Sequence, residues 1–220
     1  MFIVRPLLSP AIVIGLLAAC SQQKDENTAE TMHEERGQMA NGGMMGGDLE
    51  RQMAQMSGPF ANAERKMYTA MRDATGVDFS DSWVRKMIAH HQGAVDMARI
   101  YLEQEGGRAD VRDMAEGTID KQTQEIAELE KIVREGNRHP AGAEPYASAE
   151  RDMMHGMMAA ARDDVSASFL GKMLEHDKGA VALSEVFLAQ GGDHRVEERA
   201  RQIRDDQRKE ASEVEEMMAK

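Results

Sequence analysis

The stretch ANAERKMYTAM, residues 61–71, returns as ASAERDMMHGM, residues 147–157, at an offset of 86 positions. Carried forward, this offset pairs 61–106 with 147–192, and 19 of the 46 aligned positions are identical. The second copy then lacks one residue, after which Gln122-x-x-Glu125 aligns with Gln207-x-x-Glu210. The chain therefore contains one unit twice. We call residues 61–135 repeat one and residues 147–220 repeat two.

Each repeat begins with the patterns of a short helix and a long helix. The short helix is predicted over 61–74 in repeat one and over 147–161 in repeat two. The long helix begins after Ser80 or Ser166, because serine can cap a helix N-terminus. It ends at paired glycines, 106–107 in repeat one and 191–192 in repeat two, which are typical stop signals.

A third helix completes each repeat. It is predicted from near Asp110 to Gly136, and from about His194 to the C-terminus. Residues 136–146, with two prolines, read as the linker between the repeats. No stretch has the pattern of a strand. Since one helical hairpin is too thin to bury its own apolar stripe, two hairpins should dock into an all-α four-helix bundle, each preceded by a short methionine-bearing helix.

The first 20 residues, MFIVRPLLSPAIVIGLLAAC, have the layout of a secretory signal peptide. One cation, Arg5, precedes an apolar run that is too short to span a bilayer comfortably. Residues 17–20, Leu-Ala-Ala-Cys, resemble the lipobox of bacterial lipoproteins. That resemblance implies lipidation at Cys20, and the following Ser21 implies the outer rather than the inner membrane. We therefore expect a lipid-anchored protein in the periplasm of a bacterial cell envelope. A plain signal peptide is the alternative.

Composition limits the partners and the ligands. Residues 21–60 are polar and rich in glycine and methionine, so we expect a flexible tether. The net charge of −12 argues against nucleic acid as a partner. Cys20 is the only cysteine beside 19 methionines, so a CxxC metal site is excluded and a soft metal would need other ligands.

The long helix of repeat one, residues 83–98, reads WVRKMIAHHQGAVDMA and places methionine and histidine on one face. Thioethers and imidazoles together suit Cu(I) and Ag(I), and with more imidazole Cu(II). The candidate metal ligands are Met87, His90, His91, Met97, Met67, Met71, Met153, His155, Met157, Met173 and His176. The alternative for the methionines is core packing, because methionine fills irregular gaps. The histidines could instead be satisfied by carbonyl or carboxylate groups.

The block MIAHHQGAVDMA, residues 87–98, resembles the signature of the DUF305 family, and Gln122-x-x-Glu125 resembles its second motif. That family is similar to ferritin-like helical bundles, and some members bind copper in the periplasm. The resemblance implies a copper site built on the methionines and histidines of this block. Repeat two departs from the motif, since Asp177 and Leu183 replace the second histidine and the second methionine. Its site should be weaker or altered.

Three functions are compatible with the sequence. The first is a non-enzymatic copper-binding protein for sequestration, buffering or resistance, acting alone, as a homo-oligomer or with a partner that accepts copper. The second is a ferritin-like di-iron enzyme, which would need Glu-x-x-His pairs on its long helices. Met87 stands where such a glutamate would precede His90. The third is a metal-free helical interaction module held at the membrane by its lipid.

Overall fold

The computed structural model describes residues 47–220, and all its regular elements are helical. The α-helices are α1 (47–55), α2 (Ala61–Asp73), α3 (Phe79–Glu103), α4 (Ala109–Glu130), α5 (Ala147–Ala159), α6 (Val165–Gln190) and α7 (His194–Met218). Two 3₁₀ turns, Pro140–Gly142 and Glu144–Tyr146, lie in the linker. The predicted all-helical fold is confirmed, and no strand occurs between residues 47 and 220.

The two long central helices, α3 and α6, are capped by aspartates and not by the predicted serines. The carboxylates of Asp78 and Asp164 accept N–H groups of the first turn at 3.0 and 2.7 Å. An aspartate at this position satisfies an otherwise unpaired donor and favours the positive end of the helix dipole. Ser80 and Ser166 lie one residue inside each helix and are buried. The serine caps expected from the sequence were therefore wrong.

The two serines instead join the repeats. The hydroxyl of Ser80 accepts the N–H of Asp193, and the hydroxyl of Ser166 accepts the N–H of Arg108, both at 3.0 Å. Asp193 and Arg108 are equivalent residues, each just before the last helix of its repeat. Each central helix is thus tied at its start to the loop of the opposite repeat.

The helix ends agree with the glycine signals, but α4 is shorter than predicted. Gly106 and Gly191 adopt φ values of +77° and +74°, which favour glycine beyond a helix C-terminus. α4 ends at Glu130, well before Gly136. Beyond it, the carboxylate of Asp81 accepts the backbone N–H of Arg134 at 2.8 Å and holds the chain beside the start of α3.

The repeats are related by an approximate two-fold axis. α3 and α6 pack antiparallel at the centre, with α4 against α3 and α7 against α6. Trp83 stacks on Phe187 with ring centroids 5.6 Å apart, and Phe169 stacks on Tyr101 at 4.6 Å. These are the same contact made twice, because Trp83 aligns with Phe169 and Tyr101 with Phe187. The chain therefore folds like a symmetric dimer whose two subunits are joined.

Two buried ion pairs cross between the repeats. Lys86 binds Glu150 at 2.6 Å, and Lys172 binds Glu64 at 2.7 Å. Each ammonium also donates to a carbonyl of the short helix of its own repeat. Burial raises the pKa of Glu64 although Lys172 opposes the shift. Because a buried charge is costly without its partner, these pairs favour the observed docking of the repeats over others.

The end of the predicted tether is folded. Residues 47–55 are helical, and Leu49 and Met53 are buried against Tyr68 and Met154. The prediction of a flexible tether as far as residue 60 was therefore wrong for residues 47–55. Their two apolar side chains lie one turn apart on the helix and make a hydrophobic contact with the bundle. Residues 1–46, with the predicted signal peptide and Cys20, lie outside the described residues. Within 47–220, no helix combines the length and the apolarity needed to cross a bilayer.

Candidate metal centre

His90 and His176 stack on each other where α3 crosses α6. Their ring centroids are 3.6 Å apart and their planes differ by 29°. Nε2 of His90 donates to the carbonyl oxygen of His176 at 3.0 Å, and Nε2 of His176 donates to that of His90 at 3.1 Å. Since a carbonyl only accepts, the hydrogen of each ring resides on Nε2. In a neutral ring, Nδ1 then carries a free lone pair.

His90 is held in the form that binds metals. It is fully buried, and burial is the main reason that its pKa lies well below the ordinary 6.5. The neighbouring imidazoles of His176 and His91 lower this pKa further. Nδ1 of His90 is buried and has no hydrogen-bond partner in the protein. A neutral imidazole with an unpaired nitrogen is a ready ligand, because no proton has to leave it.

His91 lies beside this pair, with its ring centroid 5.7 Å from that of His90. Its Nε2 lies 3.1 Å from Oε2 of Glu125, and its Nδ1 has no hydrogen-bond partner in the protein. Burial lowers the pKa of His91 more than Glu125 raises it. Burial alone would raise the pKa of Glu125, but His91 and Lys121 outweigh it and keep the group a carboxylate. Glu125 can therefore orient His91.

Repeat two presents carboxyl groups at the equivalent positions. Asp177 replaces His91, and its Oδ1 lies 3.3 Å from Nδ1 of His176. Burial raises the pKa of Asp177. Glu210, the counterpart of Glu125, binds Lys121, and burial raises the pKa of Glu210 to about 7. We call His90, His91, His176 and Asp177 the histidine layer; its two ends differ in charge and in ligand type.

The predicted methionine ligands all lie in the hydrophobic core. They are Met67, Met71, Met87, Met97, Met153, Met157 and Met173. Met67 packs its thioether against the backbone of Gly93, and Met153 does the same at Gly179. His155 is exposed on α5, so the structure does not bring it to the buried layer. The structure thus unites the three central histidines and gives most of the methionines a packing role.

Two features of the centre were not expected from the sequence. The ion pairs around Lys86 and Lys172 were missed, although both lysines and both partner glutamates are identities of the repeat. The stacking of His90 on His176 was also missed, because the repeat alignment alone does not show that equivalent residues meet. Within residues 47–220, no three His, Cys, Asp or Glu side chains are arranged to hold a metal ion by themselves.

This fold and layer define a class of protein: a duplicated helical bundle with a buried histidine pair on its internal axis. A family described as "Domain of unknown function (DUF305)" matches residues 14–133 and 134–218, so the chain belongs to the DUF305 family. The chain is similar to a solved structure described as "Crystal structure of DUF305 fragment from Deinococcus radiodurans", at 25% identity. The similarity covers 66% of this chain and 98% of that chain, with a TM-score of 0.49. No curated protein matches the chain.

Proposed function

We propose that this protein binds copper as Cu(I) at the histidine layer and sequesters or buffers it in the cell envelope. The observation that carries the proposal is a pair of buried imidazole nitrogens without partners: Nδ1 of His90 and Nδ1 of His91. Buried polar atoms in native proteins are nearly always paired. Two unpaired nitrogens on adjacent residues therefore favour an ion that both of them bind.

The chemistry of these atoms favours a soft, monovalent ion. Imidazole nitrogens suit copper, whereas Mg²⁺ and Ca²⁺ take six or more oxygens. Cu(I) and Ag(I) accept two or three neutral donors, so the lack of a larger His and carboxylate cluster within 47–220 does not disfavour them. Met87 lies one turn before His91 on α3 and is a candidate third donor. It also occupies the place of the glutamate that a di-iron enzyme would require.

The location and partners belong to the same proposal. Export, lipidation at Cys20 and attachment to the outer membrane would place the site in the periplasm. The chain has no cysteine besides Cys20, so a thiol cannot supply the copper ligands.

Ag(I) would compete for the same donors. We assign no catalysis. A homo-oligomer or a partner that accepts copper would fit a buffering role, and the acidic surface disfavours nucleic acid.

The direct test is a Cu(I) titration of residues 21–220 against a chromophoric Cu(I) chelator. We expect His91→Leu and His90→Leu to lose Cu(I) affinity by about tenfold or more, since each removes an unpaired donor. His155→Leu is the matched control, because this histidine is exposed and should leave the affinity unchanged. Wild-type affinity in both core variants would refute the proposal. A metal-free interaction module would show no competition with the chelator in any variant.

A further inference from the structure

A cavity of about 310 Å³ lies between α4, α6 and α7, at the repeat-two end of the histidine layer. Its walls include Met114, Met173, Met217, Asp177, Glu210 and Gln122. We call it the Asp177 cavity. The cavity touches the layer directly, because Asp177 belongs to both.

The polar wall of this cavity suits a cation. Asp177, Glu210 and Glu213 contribute three carboxyl groups, against the single ammonium of Lys121. The Lys121 side chain is 40% exposed, so its ammonium can turn to solvent when another cation arrives. Gln122 is 1% exposed, and its Oε1 has no hydrogen-bond partner. An unpaired amide oxygen in the wall is a further donor that a cation would satisfy.

The methionine side chains in the wall favour a soft cation over a hard one. Three thioethers, those of Met114, Met173 and Met217, line the same space. Such sulfur ligands select monovalent copper and related soft ions over hard divalent ions. In the other repeat, the positions that align with Met114 and Met217 hold Arg199 and Ile132. Two of these thioethers therefore distinguish the repeat-two end from its counterpart.

The repeat-one end of the layer is closed. Arg199 lies near enough to His91 for its charge to lower the pKa of that histidine, and only 13% of its side chain is exposed; its guanidinium is 2.5 Å from the carboxylate of Glu128. The depression outside, about 200 Å³, is lined by Glu128, Ile132, Arg195, Glu198, Arg199 and Gln202. None of these residues belongs to the histidine layer. A cation in this depression would also face the positive charge of Arg199.

The Asp177 cavity leads to the unpaired nitrogens in two short steps. Oδ1 of Asp177 is 3.3 Å from Nδ1 of His176, whose ring stacks on His90 at 3.6 Å. Both histidines are fully buried, so an ion needs a path through the protein to reach them. This cavity offers polar and sulfur ligands along that path.

We propose that the Asp177 cavity is the access route by which a soft monovalent cation, Cu(I) or Ag(I), reaches the histidine layer. The thioethers and carboxyl groups take the ion from solvent, and Asp177 stands between them and His176. The inference rests on the proposed function, because a route matters only if the layer binds the ion. Under this proposal, the ion enters at the repeat-two end of this nearly symmetric molecule and not at the repeat-one end.

The test places a bulky side chain either in the Asp177 cavity or in the depression at the repeat-one end. Gly117 lines the Asp177 cavity, and a Cβ placed there meets no atom within 4 Å, so a side chain can enter at this position and Gly117→Trp is chosen to fill the mouth. The matched control is Gln202→Trp, because Gln202 aligns with Gly117 and lines the closed end. Gly117→Ala is a second control, too small to fill the space. Cu(I) is supplied as its bicinchoninate complex, and the decay of the absorbance of that complex gives the loading rate and the end point.

We expect Gly117→Trp to load Cu(I) about tenfold more slowly with the same end point, which corresponds to an added barrier of about 1.4 kcal/mol. Gln202→Trp and Gly117→Ala should load at the wild-type rate. Wild-type loading by a folded Gly117→Trp protein, or equal slowing by Gln202→Trp, overturns the route while the proposed function stands. If the wild-type protein takes no Cu(I) from the chelator, the proposed function itself fails, and the route falls with it.

Discussion

The imidazoles of His90 and His176 stack at 3.6 Å, and each donates its Nε2–H to the backbone carbonyl of the other residue. The two histidines are equivalent in the repeats, so this exchange lies on the internal two-fold axis. Two imidazolium ions could not be stacked in a buried site, because they would repel each other without solvent to screen them. The contact therefore fixes the Nε2–H form of both rings and directs Nδ1 toward other partners.

The first prediction is that acid destabilises the fold through His90 and His91. Both folded-state pKa values lie below 6.5, so below that pH the unfolded chain binds more protons than the folded chain. The free energy of unfolding is therefore full above pH 6.5 and falls as the pH drops toward the lower pKa values that His90 and His91 have in the folded state. Urea unfolding at about pH 8 and about pH 5 should show this loss, and His91→Leu should lose less than the wild type. An equal loss in both proteins would contradict the assignment.

The second prediction concerns Glu210 and has the opposite sign. Burial raises its folded-state pKa from 4.5 to about 7, so its contribution to stability is present below 4.5 and is lost as the pH rises through 7. Glu210→Gln removes this titration. Relative to the wild type, the variant should gain about 2 kcal/mol between about pH 5 and about pH 8, measured by urea unfolding. If the difference in free energy of unfolding between Glu210→Gln and the wild type does not change with pH, the pKa of Glu210 is not raised.

The third prediction is that the crossed ion pairs are costly to break singly. Lys86→Met leaves the carboxylate of Glu150 buried without its partner, which should cost about 3–5 kcal/mol in the free energy of unfolding. Removing both charges with Lys86→Met and Glu150→Met should restore most of the loss. The surface pair of Lys209 and Glu213 is the control, and Lys209→Met should cost less than about 1 kcal/mol. A double variant as unstable as the single one would argue against an uncompensated charge as the cause.

The fourth prediction separates packing glycines from tolerant ones. A Cβ at Gly93 would overlap the thioether of Met67, so Gly93→Ala should cost about 1–3 kcal/mol. Gly117 has open space around its Cβ position, and Gly117→Ala should stabilise α4 by up to about 1 kcal/mol. Thermal unfolding of both variants measures the difference. In a double-mutant cycle, Gly93→Ala should cost less in the Met67→Ala background than in the wild type, and an equal cost in both would mean that the strain lies elsewhere.

The fifth prediction restores the missing histidine of repeat two. Asp177→His places an imidazole at the position equivalent to His91, with Glu210 as the counterpart of Glu125. We expect the variant to bind additional Cu(I) in the chelator competition, since the layer then has a donor at both ends. The matched change, His91→Asp, should remove Cu(I) binding from repeat one. Unchanged stoichiometry in Asp177→His would show that the imidazole alone does not make a site.

Much of the architecture could be predicted because it is local or repeated in the chain. The 86-residue offset predicts two like units, and the glycines at 106 and 191 predict the ends of the central helices. The caps were misplaced by two residues, because Ser80 and Asp78 are both good capping residues and only the backbone path selects between them. Leu49 and Met53 were assigned to a tether, because a short apolar pair among glycines reveals no partner until Tyr68 and Met154 are in place.

The sequence by itself determined the helical class, the duplication and the family, since periodicity, identity and motif are all properties of the chain order. Only the tertiary structure decided that His90 meets His176, that Lys86 crosses to Glu150, and that Met87 is a core residue. The reason is physical. Antiparallel docking of α3 on α6 brings together residues 86 positions apart, and burial then sets their pKa values and leaves particular nitrogens unpaired. Composition suggested soft-metal ligands, but which of them can share one ion depends on that docking.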